Sequence, residues 1–176
     1  MEFIAEVKTK SPFGFKSDKS WDYLFDLANS IGDMISIHTE APWDGSLDLI
    51  KKARKLTNKP ILAKGIHTSN QDIVKAIDAG ADFVLVVGRN PQFMEDKVII
   101  EPNTLSDLEL LKDYPRIVWN SRDLNDGFHK TEDIYNVRKI YKGWLCQASF
   151  IQFNYEINSE VDAFLVGRYL ENFKNE

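Results

Sequence analysis

The feature that most constrains this chain is a regular alternation between short apolar runs and longer segments of helical periodicity. Eight runs, rich in β-branched and aromatic residues, are typical of buried strands: 3–7, 34–37, 61–63, 83–87, 98–100, 117–119, 144–146 and 163–166. Strands that alternate with helices form a parallel sheet with the helices outside. Because the alternation continues through the whole chain, we predict an α/β fold, a single closed (β/α)₈ barrel domain over residues 1–176.

The length of the chain makes this a compact barrel. Its 176 residues allow about 22 per unit, whereas such barrels typically have about 250 residues. Only residues 88–97 separate the fourth and fifth strands, which is too few for a crossover helix with its loops. We therefore expect the helix of the fourth unit to be shortened or missing. An open doubly wound sheet is the alternative, but it has no use for eight strands spread over the chain.

The segments between the strands carry apolar residues at helical spacing: 21–30, 46–56, 70–79, 105–112, 131–141 and 169–173. Residues that commonly cap helix N-termini lie where several of these segments begin, namely Thr68 or Ser69, Thr104 and Thr131. Gly80 follows the third segment, a position where glycine often ends a helix.

Composition and charge exclude several classes of protein. The chain has 22 Lys and Arg against 27 Asp and Glu, a net charge of −5, which disfavours a nucleic-acid partner. No apolar run approaches the roughly 18 residues that span a bilayer, and the N-terminus does not resemble a signal peptide, so we expect a cytoplasmic protein without a membrane partner. The single Cys146 and three histidines without metal-ligand spacing argue against a metal site. We expect a monomer or a weak homodimer.

Polar residues follow the predicted strands at the barrel end where chemistry usually collects. In the order of the strands that they end, these are Glu6 and Lys8 (first), Lys64 (third), Glu101 (fifth), Asn120 and Arg122 (sixth), Gln147 and Ser149 (seventh), and Gly167 and Arg168 (eighth). Each charge alone fits a solvated rim position. Together they would converge on one mouth, as acid–base chemistry on an anionic substrate requires. Ser149 with Gly167 and Arg168 occupies the usual phosphate position of such barrels.

Other candidate residues carry weaker signals. His38 and His67 follow the second and third strands, where we expect ordinary polar contacts. Cys146 lies within an apolar strand and is interpreted as a small core residue. Trp43 differs, because it lies in a loop where an aromatic side chain could stack on a ligand ring.

Several of these segments resemble motifs of the indole-3-glycerol phosphate synthase family. The opening Ala-Glu-Val-Lys and Ser-Pro-Phe-Gly of residues 5–14 and the Asn-Ser-Arg-Asp-Leu of residues 120–124 are the most specific. Weaker similarity extends over nearly the whole chain, through residues 35–46, 60–64, 79–85 and 164–167. The resemblance implies a (β/α)₈ barrel that binds a phosphorylated small molecule.

The resemblance also implies an activity and the residues that perform it. The family converts 1-(2-carboxyphenylamino)-1-deoxyribulose 5-phosphate to indole-3-glycerol phosphate in tryptophan biosynthesis, releasing CO₂ and water without a cofactor. By resemblance, Lys64 is the general acid of ring closure and Glu101 the base or acid of dehydration. The resemblance also makes Lys8 catalytic, as a contact to the substrate carboxylate or phosphate and as a candidate second acid, while Glu6 and Asn120 hold these groups and the substrate hydroxyls. Arg122 binds the substrate, and Ser11 and Trp43 help enclose its aromatic ring. Ser149, Gly167 and Arg168 hold the phosphate.

Three departures from the family pattern leave alternatives open. The seventh strand ends with Gln147, Ala148 and Ser149 instead of Glu-Ser-Gly, so we expect Gln147 to present a neutral amide to the mouth. Gly65 and Ile66 replace Asp-Phe after Lys64, and no counterpart of the family's N-terminal extension is expected. A barrel that binds a phosphorylated ligand with lost or altered catalysis is therefore the second hypothesis.

Two further hypotheses have less support in the sequence. A related phosphosugar isomerase, such as phosphoribosylanthranilate isomerase, needs a cysteine base at the end of the first strand, where this chain has Glu6. A purely structural or interaction protein would leave the convergent charges without a role.

Overall fold

A computed structural model describes residues 1–174, and its eight parallel strands close into a barrel in sequence order. The strands are β1 (Glu2–Val7), β2 (Met34–His38), β3 (Ile61–Lys64), β4 (Phe83–Val87), β5 (Val98–Glu101), β6 (Arg116–Asn120), β7 (Trp144–Ala148) and β8 (Ala163–Val166). Each predicted strand lies within an observed one, and β1 pairs with β8 to complete the barrel. The predicted compact (β/α)₈ barrel is confirmed.

Helices connect most of the strands. They are α1 (Trp21–Ile31), α2 (Leu47–Arg54), α3 (Asn70–Asp78), α4 (Leu105–Leu111) and α5 (Ile134–Ile140). The β4–β5 connection, residues 88–97, contains no helix, as its length predicts. The last predicted helix, 169–173, is a single 3₁₀ turn, Leu170–Phe173. No helix in residues 1–174 combines the length and apolar character that crossing a bilayer requires.

The helix ends follow the predicted caps except at α5. Ser69 and Thr104 each cap a helix through a reciprocal capping box. Gly80 follows α3 with a φ of +114°, a conformation that glycine adopts without strain. The prediction for Thr131 is wrong: the cap of α5 is Asp133, whose carboxylate accepts a hydrogen bond from a backbone N–H of the first turn. The helix begins at the residue after Asp133, too late for Thr131 to reach its free N–H groups.

The apolar core lies in two layers, one between the sheet and the helices and one inside the barrel. The interior layer consists of Ile4, Met34, Leu62, Leu85, Ile99, Val118, Cys146, Ala148, Ala163 and Leu165. Cys146 is fully buried there, as expected, and burial raises the pKa of its thiol. Because side chains alternate along a strand, the next inward positions on β1, β3, β5 and β6 are those two residues further on. At these positions the interior changes from apolar to polar.

Candidate active site

Glu6 is the centre of a charged cluster at the carboxyl end of the barrel. Its Oε1 accepts a hydrogen bond from Lys64 Nζ at 3.3 Å, lies 3.6 Å from Lys8 Nζ, and contacts His38 Nε2. Glu6 is only 2% exposed. Burial alone would raise the pKa of its carboxyl, but Lys64, Lys8 and His38 together hold that pKa well below its ordinary value. Glu6 is therefore an ionised carboxylate that anchors two lysines in the mouth.

The two lysines present their ammonium groups to a largely dry environment. Lys64 is 8% exposed, and the side chain of Lys8 is 14% exposed. Burial lowers the pKa of Lys8 and Glu6 opposes that shift, while the charges of Lys64 and Arg122 lower the pKa further. A cluster with two ammonium groups and one carboxylate carries a net positive charge toward the mouth, which suits an anionic ligand.

His38 joins this cluster, although its sequence context predicts only ordinary polar contacts. It lies at the end of β2, in register with Lys64. Burial lowers the pKa of its imidazole to about 4, and the charges of Lys64 and Lys8 act in the same direction. The ring is thus neutral at pH 7, and its Nε2 donates to Glu6, because a carboxylate can only accept. No local pattern in the sequence indicates this contact, since the two residues lie 32 positions apart.

A second polar group lies across β5, β6 and the loop after β7. Asn120 Nδ2 donates to Glu101 Oε1 at 2.9 Å, and Asn120 Oδ1 accepts from Ser149 Oγ at 2.6 Å. Glu101 is 2% exposed. Burial raises the pKa of its carboxyl, and the positive charges of Lys64 and Lys130 offset that rise only in part. Glu101 is thereby suited to exchange a proton nearer neutral pH than an ordinary carboxyl.

Side chains of both groups other than Glu6 line one cavity of about 480 Å³, a volume that includes space open to solvent. The predicted site residues on its wall are Lys8, Ser11, Trp43, Lys64, Glu101, Asn120, Arg122 and Ser149. Trp43 stacks on His38, with ring centroids 5.7 Å apart and planes 8° from parallel. Apolar side chains that the motifs did not single out complete the wall: Phe13, Ile66, Leu85, Val87 and Leu124.

A second cavity, of about 460 Å³, lies beside the first at the ends of β7 and β8. Lys8, Arg122 and Ser149 line both cavities, and Gly167 and Arg168 line the second. The two guanidinium groups contact aromatic rings, and within residues 1–174 neither makes an ion pair with a carboxylate. Burial and the charge of Arg168 lower the pKa of Arg122. Cationic groups without anionic partners favour an anion in this cavity.

Gly167 allows β8 to approach the charged cluster. A Cβ atom at this position would overlap Glu6 Oε2, so the absence of a side chain makes room for the carboxylate. Gly167 thus contributes to the first cavity's chemistry as well as to the wall of the second.

The structure does not bring Gln147 into the mouth, so the prediction that it faces the lysines is wrong. On β7 the inward positions are Cys146 and Ala148, and alternation turns Gln147 outward. Its Nε2 donates to the carbonyl of Glu156 at 3.1 Å, and its Oε1 accepts from the backbone N–H of Asn158 at 2.8 Å. Gln147 therefore holds the loop after β7, and Ala148 occupies the inward position.

His67 makes the ordinary polar contacts expected of it. Its Nδ1 lies 2.6 Å from the carbonyl oxygen of Leu85, and its Nε2 lies 3.0 Å from Thr39 Oγ1. The neighbouring Gly65 makes this packing possible, because a Cβ there would overlap Thr39 and crowd His67. Gly65, the residue after Lys64, therefore leaves room for the contact between Thr39 and His67.

Comparisons with known proteins connect this geometry to one family. The family model described as indole-3-glycerol phosphate synthase matches residues 1–112. Indole-3-glycerol phosphate synthase of Campylobacter jejuni subsp. doylei is 28% identical over 195 residues, covering 96% of this chain and 75% of that protein. The tryptophan biosynthesis protein TrpCF of Vibrio parahaemolyticus is 31% identical over 88 residues, covering 48% of this chain and 18% of that protein.

Solved structures share the fold. The 3-hexulose-6-phosphate synthase of Salmonella typhimurium aligns with a TM-score of 0.71 and 16% identity, covering 99% of this chain and 97% of that one. KGPDC from Streptococcus mutans aligns with a TM-score of 0.70 and 14% identity, covering 98% of this chain and 94% of that one. At such identities the likeness is one of architecture.

Proposed function

The chain belongs to the indole-3-glycerol phosphate synthase family, and from that premise we propose that it catalyses the family's ring closure. The substrate would be 1-(2-carboxyphenylamino)-1-deoxyribulose 5-phosphate, and the products indole-3-glycerol phosphate, CO₂ and water. The observation that carries the proposal is a buried ammonium, Lys64, and a buried carboxyl of raised pKa, Glu101, on the wall of one cavity.

In the first step the aromatic carbon that bears the carboxylate attacks the ketone carbon. The ketone oxygen gains negative charge and takes a proton from Lys64 Nζ, and a preorganised ammonium stabilises such an oxygen strongly. Loss of CO₂ then returns the bonding electron pair to the ring. Lys64 suits this role because Glu6 holds its ammonium at the mouth from a distance of 3.3 Å.

In the second step the new hydroxyl leaves as water and the five-membered ring gains a double bond. A base must remove a proton from the ring methylene, and an acid must protonate the departing hydroxyl. Glu101 suits the base, since its raised pKa makes it a better proton acceptor than an exposed carboxylate. Its hydrogen bond from Asn120 fixes the carboxylate's orientation, and Ser149 in turn fixes Asn120.

The remaining residues would bind and orient the substrate. Lys8 and Arg122 line both cavities, so they can face the substrate carboxylate from one side and its phosphate from the other. Gly167 and Arg168 would hold the phosphate together with Ser149. Trp43 and Ser11 would enclose the aromatic ring.

One observation favours a second candidate, a barrel that binds a phosphorylated ligand and performs altered chemistry. The inward position at the end of β7 is Ala148, so that strand contributes no carboxyl to the mouth. The family pattern has a glutamate in this segment. A reaction that depends on a third carboxyl would not proceed here.

Incubating the purified protein with the substrate, without added cofactor, tests the proposal through the fluorescence of the indole product. We expect product, and we expect the Glu101→Gln variant to lose at least about 100-fold in kcat while still binding substrate. Glu109→Gln, an exposed change on α4, serves as the matched control. Tight binding of the substrate without product would favour altered chemistry, and neither binding nor product would exclude both candidates.

A further inference from the structure

We infer that His38 is a positioning residue for the charged cluster: its Nε2–H holds the Glu6 carboxylate in the orientation that keeps Lys8 and Lys64 directed into the cavity. The kinetic consequence rests on the proposed function. The structural claim stands on the contacts of His38, and it can be tested without turnover.

All three partners of Glu6 meet at the same carboxylate oxygen. Lys64 and Lys8 lie 3.3 Å and 3.6 Å from Oε1, and His38 contacts that oxygen as well. The other oxygen, Oε2, lies against Gly167, where even a Cβ atom would overlap it. Because the wall of β8 closes one side of the carboxylate and His38 the other, Oε1 is held toward the two ammonium groups.

The protein fixes the imidazole through several independent contacts. Its ring is stacked on Trp43, and its backbone is paired with Lys64 in the sheet. The backbone N–H of Ser46 donates to the carbonyl of His38 at 3.1 Å. Gly45 packs so closely on that carbonyl that a side chain would collide with it. A donor held in this way loses little conformational entropy when it orients Glu6.

A neutral donor has an advantage over a third cation at this place. The titratable groups that face His38 are Glu6 from β1, Lys8 just after β1 and Lys64 from β3, while Trp43 on the opposite side of the ring is uncharged. Two ammonium groups against one carboxylate leave a single positive charge for an anionic substrate. The two cations and burial keep the imidazole neutral, so His38 supplies a hydrogen bond without adding charge.

The first test is independent of activity and uses ¹⁵N NMR of the histidine side chains in the wild-type protein. We expect the His38 imidazole to be neutral with the proton on Nε2 from pH 5.5 to pH 8, its signals being assigned by their loss in His38→Gln. Observation of the Nδ1-protonated tautomer, or of a charged imidazole at pH 7, would overturn the inference whatever the protein's activity.

The second test separates the donor from the ring with two variants. His38→Gln keeps an N–H near the position of Nε2, and His38→Phe keeps an aromatic ring on Trp43 but has no donor. We expect His38→Phe to lower kcat by about ten- to a hundredfold, the worth of one hydrogen bond to a charged group, with a smaller change in KM. His38→Gln should retain activity within about threefold of the wild type.

The pH dependence gives a readout that simple packing would not alter. Loss of the donor should raise the pKa of Glu6, so a ¹³C NMR titration of the Glu6 carboxyl should move to higher pH in His38→Phe and stay in place in His38→Gln. Equal impairment of both variants would assign His38 a packing role instead. If the wild type forms no indole product, ¹³C NMR titration of the Glu6 carboxyl in the same variants decides the inference, and only the proposed function fails.

Discussion

Two glutamates at the same depth of this barrel experience opposite environments. Glu6 and Glu101 are each 2% exposed, and burial alone would raise the pKa of both carboxyls. On the β1–β3 side, two lysines and an imidazole reverse that effect for Glu6. On the β5–β7 side, Glu101 receives one hydrogen bond from a neutral amide, and its pKa stays raised.

The difference shows how one residue type can serve two purposes within one barrel mouth. Glu6 stays ionised and orients cations, whereas Glu101 is suited to carry a proton. Lys64 links the two sides, since its charge lowers the pKa of both carboxyls. Pairs of carboxyls whose pKa values are driven apart by their surroundings commonly divide the acid and base roles of an active site.

The largest loss of activity is expected when Lys64, whose charge acts on both carboxyls, is replaced. Lys64→Met should lower kcat by at least about 100-fold, because the ketone oxygen loses its proton donor. Lys51→Met, on the exposed surface of α2, provides the matched control. Steady-state measurement of indole product decides the matter, and near-normal turnover in Lys64→Met would remove this lysine from the proposed mechanism.

The opposite environments of the two carboxyls predict stability changes of opposite sign in Glu6→Gln and Glu101→Gln. Above the ordinary carboxyl pKa of 4.5, the lowered pKa of Glu6 stabilises the fold, and this contribution is lost as pH falls through the lowered value. The raised pKa of Glu101 has the opposite effect, since ionising that carboxyl in the folded state carries a cost that begins above pH 4.5.

At pH 7.5 Glu6→Gln should therefore reduce the free energy of unfolding by about 3 kcal/mol, as when one partner of a buried ion pair is removed. Glu101→Gln should increase it by on the order of 1 kcal/mol, a typical exchange of stability for function. Urea denaturation at pH 7.5 and pH 4 measures both, and the gain in Glu101→Gln should vanish at pH 4. Changes of the same sign at pH 7.5 would contradict the contrast between the two carboxyls.

An intermediate effect, on anion affinity, is expected at Arg168, which lines the second cavity. Arg168→Ala should weaken binding of inorganic phosphate about tenfold, the worth of one charge-assisted hydrogen bond. Lys142→Ala, at an exposed position before β7, controls for the loss of a positive charge. Isothermal titration calorimetry measures both, and equal affinity in Arg168→Ala and wild type would place the anion elsewhere.

The smallest effect, on the pH dependence of activity, is expected from Lys130, whose charge acts on Glu101. Lys130 lowers the pKa of Glu101 and packs with its Nζ 4.4 Å from the centre of the Trp119 ring. Lys130→Gln should therefore raise the pKa of Glu101 and move the acid limb of kcat/KM upward by less than about one pH unit. A shift to lower pH would mean that another group controls this limb.

The fold could be predicted from the sequence because every strand contains a run of apolar, mostly buried residues. The missing fourth helix followed from the ten residues available between 88 and 97. The strand ends also indicated which polar residues converge, since parallel strands present their carboxyl ends to one mouth.

What sequence reasoning missed depends on side-chain direction and on distant partners. An error of one residue in the inward register of β7 assigns Gln147 to the mouth instead of Ala148, because neighbouring side chains face opposite sides of a strand. His38 looked like an ordinary polar residue because Glu6 reaches it only when β1 and β2 pair. The cap of α5 was misplaced because both Thr131 and Asp133 are good capping residues.

The helix-free connection at residues 88–97 also separates the site residues into two groups, one on the β1–β4 half of the barrel and one on the β5–β8 half. Cleavage there would leave Glu6, Lys8, His38 and Lys64 on one fragment and Glu101, Asn120, Arg122 and Arg168 on the other. Neither fragment would hold both carboxyls, and each would expose strand edges that the intact barrel pairs between β4 and β5 and between β1 and β8. Recovered turnover from the mixed fragments would thus report their reassembly, because the cavity exists only where the two halves meet.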